Sequence, residues 1–433
     1  MQFKFKTKSR KLKENENEVF ELVATTLHGL EDILVKELED IGAKNIQKQT
    51  RAVTFQGDLY ILYKANVQLR TAVRVLKYID SFRARDEKEL YDNVQKTDWS
   101  EHFSLEETFA IDSTVHSSYF NHSQYVALKT KDAIVDQFRT KFRKRPNVKL
   151  SQPNLRILIR INEDHCQLYF DSSCDPLFKR GYKQEVCNAP INEVLAAGMI
   201  LLSGWKADCN FIDPMCGSGT IAAEAGLIAL NIAPNLNRDY FGFQNWKDFD
   251  ETTFMDVRQE AIAGEREFKH EILASDIAFQ AIRIAQRNID RAGLGHIITV
   301  QRKDFERIMP PAERGIVIMN PPYGERLESE DYEMNAFYAM IGDHMKEAFT
   351  GYDIWMISSN LKALKCVGLR PSSRNTLFNG PLECKFQCYK MYKGSLKAKY
   401  REENVDANAI VDVDANESKE KGKDENNDSN TND

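Results

Sequence analysis

Two stretches concentrate residues whose chemistry is hard to explain by packing alone. The first is RGIVIMNPPYGERL, in which an apolar run from Gly315 to Met319 stops on Asn320, Pro321, Pro322 and Tyr323. Proline has no amide donor, so the pair ends the strand and leaves carbonyls with no competing N–H groups. The Asn320 carboxamide oxygen and the Pro321 carbonyl would then accept the two protons of one exocyclic amino group. A nucleobase amine is a weak nucleophile because its lone pair is spread into the ring. Holding both N–H groups in acceptors favours a more tetrahedral nitrogen, and no strong base is needed; positioning of this kind is worth roughly 7–11 kcal/mol. Tyr323 would stack on the target base, which must leave its helix to arrive there. The plain alternative is a stiff turn beside a surface aromatic. The distance to the second stretch, about a hundred residues upstream in the right strand order, argues for the chemistry.

That second stretch is FIDPMCGSGT. Asp213 ends a strand, Pro214 and Cys216 lead into Gly217, Ser218 and Gly219, and Thr220 opens an alanine-rich helix. Glycines permit the tight turn and let backbone approach a ligand closely. No lysine follows, so this is not the phosphate-binding loop, and Ala222 breaks the G-x-G-x-x-G spacing. A carboxylate here suits a cationic group better than a pyrophosphate. Asp276, followed by Ile277, ends the next strand and would accept both ribose hydroxyls. Asp304 ends the third and would accept an adenine amino proton, with Phe305 packing on the ring. Three carboxylates at three consecutive strand ends imply adenosine bearing a cationic amino-acid arm, which is S-adenosylmethionine.

The elements that must position these residues follow from periodicity. CNFIDP, EILASD, IITVQRKD, GIVIMN and DIWMISS read as strands alternating with helical segments, as in a doubly wound α/β domain with ligands outside the carboxyl ends of the strands. Before about residue 171 the rhythm differs. FELVATT and RAVTFQGD alternate, LEDILVKELEDIG is a helix closing on Gly42, and ETFAIDSTV is a strand. QYVALKTKDAIVDQFRTKFRKR is an amphipathic helix ended by Pro146, and RILIRINEDHCQLYFDSS is a hairpin turning at 162–164. An insertion at 233–270 carries APNLNRDYFGFQNW, whose aromatics form either a wall of the site or a satellite core.

The 433 residues, 42% hydrophobic and 29% charged, suffice for two or three domains. The net charge of −6 hides a split: 402–433 holds eleven acids against three bases, which leaves the rest near +2. This tail reads as disordered and the first seventeen residues as a basic flexible leader without the apolar core of a signal peptide. No run approaches the roughly 18 apolar residues of a membrane span. The eight cysteines have no zinc-site spacing, so we expect buried reduced thiols, no metal and a cytoplasmic location. Between 129 and 149 stand eight basic residues and two acids. Lys129, Lys131, Lys141, Arg143, Lys144 and Arg145 are candidate contacts for nucleic-acid phosphates, the alternative being a solvated helix face.

DPMCGSGT and NPPYGERL resemble motifs I and IV of class I S-adenosylmethionine-dependent methyltransferases that modify exocyclic amines. SQYVALKTKDAIVDQFRTKFRKRPNV, the hairpin after it and FKRGYK resemble the THUMP RNA-binding domain and its exit. KRGYKQEVCNAPINEVLAAGMILLSGW is similar to the linker that enters that family's catalytic domain, and NGPLECKFQCYKMY resembles its final hairpin. The resemblance covers about 18–394 and is nearest to the RlmL-like group, guanine-N2 methyltransferases of large-subunit ribosomal RNA. It implies a mostly parallel Rossmann-like sheet with one antiparallel strand, preceded by an α+β ferredoxin-like/THUMP region. Expected units are 1–17 leader, 18–60 ferredoxin-like, 61–172 THUMP, 173–395 methyltransferase and 396–433 acidic tail. It further implies that Asp213, Gly217 and Gly219 hold the methionine arm and adenosine, Asp276 the ribose, Asp304 and Phe305 the adenine, and Asn320 to Tyr323 the guanine amine. Pro190 and Glu193 would border the cofactor. Some relatives carry a second methyltransferase at the C-terminus; the acidic tail implies its absence here. The expected partner is 23S ribosomal RNA or a large-subunit precursor. Transfer RNA as substrate, adenine-N6 methylation of DNA, and a non-catalytic assembly role remain open alternatives.

Overall fold

A computed structural model describes residues 18–187, 190–324 and 330–392. The leader, the acidic tail, the ERL part of the fourth motif and two residues of NAPINE lie outside the described residues.

The chain begins with β1 (Phe20–Thr25), α1 (Glu31–Asp40), β2 (Lys44–Gln49), β3 (Ala52–Gly57), α2 (Leu59–Gln68) and β4 (Arg74–Arg83). Helix α1 closes as its sequence indicated. Gly42 takes φ +86°, its amide reaches Glu39 O, and the Ala43 amide reaches Leu38 O. Asp58 caps α2 by accepting the Ile61 amide at 3.0 Å, and the helix continues through residues 60 and 61, the expected junction of two units. Then come α3 (Glu87–Val94), α4 (Trp99–His102), β5 (Thr108–His116), α5 (Ser123–Phe142), β6 (Asn147–Val148), β7 (Leu155–Asn162) and β8 (His165–Asp171). All eight strands form one sheet, in the order β2-β3-β1-β4-β8-β7-β5-β6. Strand β4 joins its halves, pairing with β1 on one side and β8 on the other. Helix α5 stops before Pro146. Arg143 turns left-handed at φ +59°, and its amide closes on Arg139 O at 2.9 Å.

The second sheet contains β9 (Asn210–Asp213), β10 (Ile272–Asp276), β11 (Ile298–Arg302), β12 (Gly315–Met319), β13 (Tyr352–Ser358), β14 (Ser373–Asn379) and β15 (Leu382–Lys390). Its order is β11-β10-β9-β12-β13-β15-β14, and β15 alone runs antiparallel to β13 and β14. Helices α6 (Glu193–Leu202), α7 (Thr220–Ala229), α8 (Glu251–Ala263), α9 (Phe279–Arg291), α10 (Glu330–Ala348) and α11 (Leu361–Cys366) connect the strands. Strand order reverses between β9 and β12, so the loops after these two strands flank the crevice where ligands bind in open α/β sheets.

The insertion is a satellite core. Phe241, Phe243, Trp246 and Phe254 join the N-terminal hydrophobic cluster, and the Phe243 ring lies 4.5 Å from that of Tyr63 on α2. The Asp250 amide donates to Tyr63 Oη at 3.0 Å and Lys64 pairs with Glu260 at 2.6 Å. A segment that belongs to the second sheet by sequence thus fastens it to the first. The eight cysteines form no disulfide; Cys187, Cys209 and Cys366 are only half-buried, because they sit on loops and a short helix rather than in the core. No helix among the described residues is long and apolar enough to cross a membrane, and no group of three metal-ligating side chains is found there.

Candidate active site

A cleft of about 2110 Å³ opens where the two central loops leave the second sheet. Its first wall is the turn after β9. Gly217 and Gly219 take φ +51° and +76°. A Cβ at Gly219 would stand 3.0 Å from Ala285 Cβ and 3.1 Å from its Cα, so a side chain there would have to push α9 back, in a left-handed backbone that side chains rarely adopt. Main-chain amides tie the turn to its neighbours. The Cys216 amide donates to Ser275 O at 2.9 Å, the Gly217 amide to Asp276 Oδ2 at 3.0 Å, and the Cys187 amide to Ser218 Oγ at 2.7 Å. Buried Asn288 donates to both Ser218 O and Glu185 O, joining α9 to the entering linker. Its helical spacing marks Asn288 only as a core-facing position, so sequence reasoning missed it.

Pro190, Pro214, Cys216, Ser218, Thr220 and Ile277 line the cleft, Ile277 with 62% of its surface exposed. Asp276 and Asp304 also line it. Asp276 Oδ1 accepts the Ala278 amide at 2.9 Å, so both its oxygens already hold backbone donors and offer their remaining lone pairs. The Asp304 carboxylate makes no cap bond to the 3-10 turn it precedes. Phe305 reaches the cleft, but its ring stacks on Phe349 at 5.9 Å and meets His344 edge-on, within the α10 core.

Asp213, Gly219 and Glu193 lie beneath the cleft surface rather than on it. Glu193 is buried and pairs with Lys183 at 3.5 Å, a contact no sequence spacing announces. Asp213 is fully buried, and neither carboxylate oxygen has a hydrogen-bond partner. Burial first, and the Asp276 charge second, push its pKa up to about 8; the Met215 and Ala222 amides lie close enough to oppose the shift without meeting hydrogen-bond geometry. An orphaned buried carboxylate, an Asp304 carboxylate free of cap bonds, an exposed Ile277 and a turn whose two glycines both take positive φ together fit S-adenosylmethionine.

The second wall is the turn after β12. Asn320, Pro321, Pro322, Tyr323 and Gly324 all face the cleft. Tyr338 Oη donates to Pro322 O at 3.2 Å and Asn360 Nδ2 to Tyr323 O at 2.9 Å, which fixes the backbone from α10 and α11. Among the described residues, no donor reaches the Pro321 carbonyl. The Asn320 oxygen is occupied: Tyr323 Oη donates to it at 2.6 Å. The Tyr323 ring packs partly into the second core cluster, and burial raises its pKa well above the ordinary phenol value. In this conformation it is not free to stack on a base.

The basic residues divide into two groups. Lys129 lies over the Tyr91 ring at 5.4 Å, Lys131 pairs with Asp132 at 2.9 Å, and Lys141 with Asp98 at 2.9 Å. Arg143, Lys144 and Arg145 are exposed beyond the left-handed end of α5, with no ion-pair partner among the described residues. The α5 end is therefore the open cationic surface.

With this geometry in view, comparison with known proteins identifies the family. RMKL-like methyltransferase domains match residues 180–387, THUMP domains 84–171 and RlmL ferredoxin-like domains 21–76. A Synechocystis protein named "Putative RNA methyltransferase slr0064" is 39% identical over 370 residues, which cover 85% of this chain and 96% of that one. The chain belongs to the RMKL-like methyltransferases. The "Ribosomal RNA large subunit methyltransferase K/L" of Psychromonas ingrahamii is 38% identical over 372 residues, covering 84% of this methyltransferase but 49% of that relative. The chain thus spans nearly all of one curated relative and about half the length of the other. Among solved structures, SMU.472, described as "a putative methyltransferase complexed with SAH", superposes with a TM-score of 0.79 at 29% identity, covering 88% of this chain and all of that one.

Proposed function

We propose that this methyltransferase transfers a methyl group from S-adenosylmethionine to the exocyclic N2 amine of a guanosine in 23S ribosomal RNA, or its large-subunit precursor, in the cytoplasm. The observation that carries this reading is the opening of Asn320 and Pro321 onto the same cleft as Asp276, Asp304 and the glycine turn. The cofactor supplies an electrophilic methyl group on a sulfonium. Gly217 and the turn around it would hold the amino-acid arm above Asp213, Asp276 the ribose, and Asp304 with Ile277 the adenine. Asn320 Oδ1 and the Pro321 carbonyl would each accept one guanine N–H, aiming the nitrogen lone pair across the cleft. Neither acceptor is a base; the proton released after transfer passes to water. Arg143, Lys144 and Arg145 at the end of α5 would contact RNA phosphates, with the N-terminal sheet as the RNA-binding region. The names of the Synechocystis and Psychromonas relatives support RNA, and ribosomal RNA, as the substrate class.

The test is nucleoside mass spectrometry of fractionated RNA from cells lacking the protein, complemented with the parent or with Asn320→Ala. We expect N2-methylguanosine to vanish from large-subunit ribosomal RNA and to return only with the parent. Loss from transfer RNA instead would move the substrate and keep the chemistry. No loss in any fraction would overturn the guanine assignment.

A further inference from the structure

The cleft has a third wall that neither motif supplies. Leu27, His28 and Arg51 belong to the N-terminal sheet, on the β1–α1 loop and the β2–β3 turn, yet they line the same cleft as Asn320. The two sheets meet closely here. Gly29 takes φ +88°, and a Cβ on it would stand 2.5 Å from the Thr376 carbonyl oxygen of β14. Beside it the His28 ring meets Phe378 edge-on, with centroids 5.4 Å apart. Glu31 ties loop and turn together: one carboxylate oxygen accepts the Gly29 amide at 2.7 Å and the other the Arg51 amide at 3.0 Å. The Thr26 amide donates to Arg51 O at 2.9 Å. The wall then runs without a break to the clamp, because Asn379 follows Phe378 and its side chain lies against the Tyr323 hydroxyl.

Arg51 therefore has a fixed backbone and a free head. Its main chain is bonded at both N–H and C=O, in the left-handed region at φ +57°. Its side chain is exposed, and among the described residues the guanidinium has no hydrogen-bond or ion-pair partner. Glu31, the acid beside it, is engaged by two amides and lies 3.7 Å from His28 Nδ1. A base extruded into the Asn320 clamp leaves its own sugar-phosphate chain at the mouth of the cleft. An arginine fork matches a phosphate oxygen pair.

We propose that Arg51, with His28 beside it, forms a phosphodiester site for the RNA backbone flanking the nucleotide held by Asn320. This rests on RNA being the substrate. The N-terminal unit is then part of the substrate cleft as well as an RNA-binding region at a distance.

Arg51→Asn tests it, since Asn removes the charge and tolerates positive φ. Arg51→Lys returns a charge, and His28→Ala alters the neighbour without disturbing the turn. Methyl transfer to the RNA is measured at several salt concentrations, beside calorimetric affinity for S-adenosylhomocysteine. Arg51→Asn should raise KM for RNA about five- to tenfold, leave kcat within about twofold, and reduce the salt slope by about one. Lysine should restore most of that loss, and His28→Ala should raise KM by about two- to threefold. Cofactor affinity should not move. An unchanged KM and salt slope, with a parent that methylates RNA, would overturn the phosphodiester site alone. A matching loss of cofactor affinity would also overturn it, by making the turn a support of the cofactor wall. A parent that methylates no RNA would bring down both this site and the function it rests on.

Discussion

The turns after β9 and β12 leave adjacent strands of one sheet and face one cleft, yet they are finished to different degrees. In the first, backbone amides close on fixed acceptors: Cys216 on Ser275 O and Gly217 on Asp276. Its shape needs no ligand to hold it. In the second, two prolines have removed the amides that would have closed the turn, and the acceptor on Asn320 is satisfied by the Tyr323 hydroxyl, a side-chain donor rather than a backbone one. Where backbone supplies the partners, the site is preorganised and keeps its binding energy; where a rotatable side chain supplies one, the site must be opened first. On the roles proposed above, the cofactor side would be built to receive and the base side latched.

The largest effect separates the two turns. Asn320→Ala should lower kcat by about 10²–10³-fold, as removal of one oriented transition-state partner does, while affinity for S-adenosylhomocysteine stays within about threefold. Single-turnover methylation beside calorimetry checks it, and a collapse of both quantities would mean that the turns are one unit. The reciprocal change is Gly219→Ala. Its Cβ would meet Ala285 at 3.0 Å in a left-handed backbone. We expect a loss of about 1–3 kcal/mol in stability by denaturant unfolding. Cofactor affinity should fall at least tenfold, with partial relief from Ala285→Gly.

How much of this contrast the sequence announces depends on how local its causes are. Strand ends, the glycine turn and the proline pair are set by adjacent residues, so Asp276, Asp304 and Asn320 were legible as convergent from the strand-helix alternation alone. The Gly42 cap is equally local. What escaped is what distant chain decides. The pairing of β4 with both β1 and β8 merges two expected units into one sheet, and no window of sequence contains both partners. The aromatics of 233–270 left two readings open because their target, Tyr63, belongs to another region. The partner of Lys141, Asp98, stands 43 positions away, outside any local window. The Tyr323 latch is a rotamer, and composition does not encode one.

The next difference concerns protons. Burial pushes Asp213 up to about 8, so near neutral pH it is largely protonated, whereas an ammonium above it favours the carboxylate. Binding then expels a proton. Affinity for S-adenosylhomocysteine should rise with pH by up to about tenfold per unit until about pH 8 and then level off. Asp213→Asn should flatten that profile. For folding the sign reverses: a raised acid pKa stabilises the cofactor-free protein fully below 3.8, its ordinary value, and that contribution is lost as pH rises through about 8. Calorimetry in buffers of different ionisation enthalpy distinguishes proton release from a simple charge effect.

The smallest effect tests the latch itself. Tyr323→Phe keeps the ring that would stack on a base and removes the hydroxyl that occupies Asn320. A hydrogen bond of this kind is worth about 1 kcal/mol net, so releasing it should improve kcat/KM for RNA by about fivefold. Stability should fall by a similar amount, because the buried ring loses its polar anchor. If the hydroxyl instead helps to hold the base, the same substitution lowers kcat/KM, and the difference between the two turns would lie in their donors alone rather than in the need to open one of them.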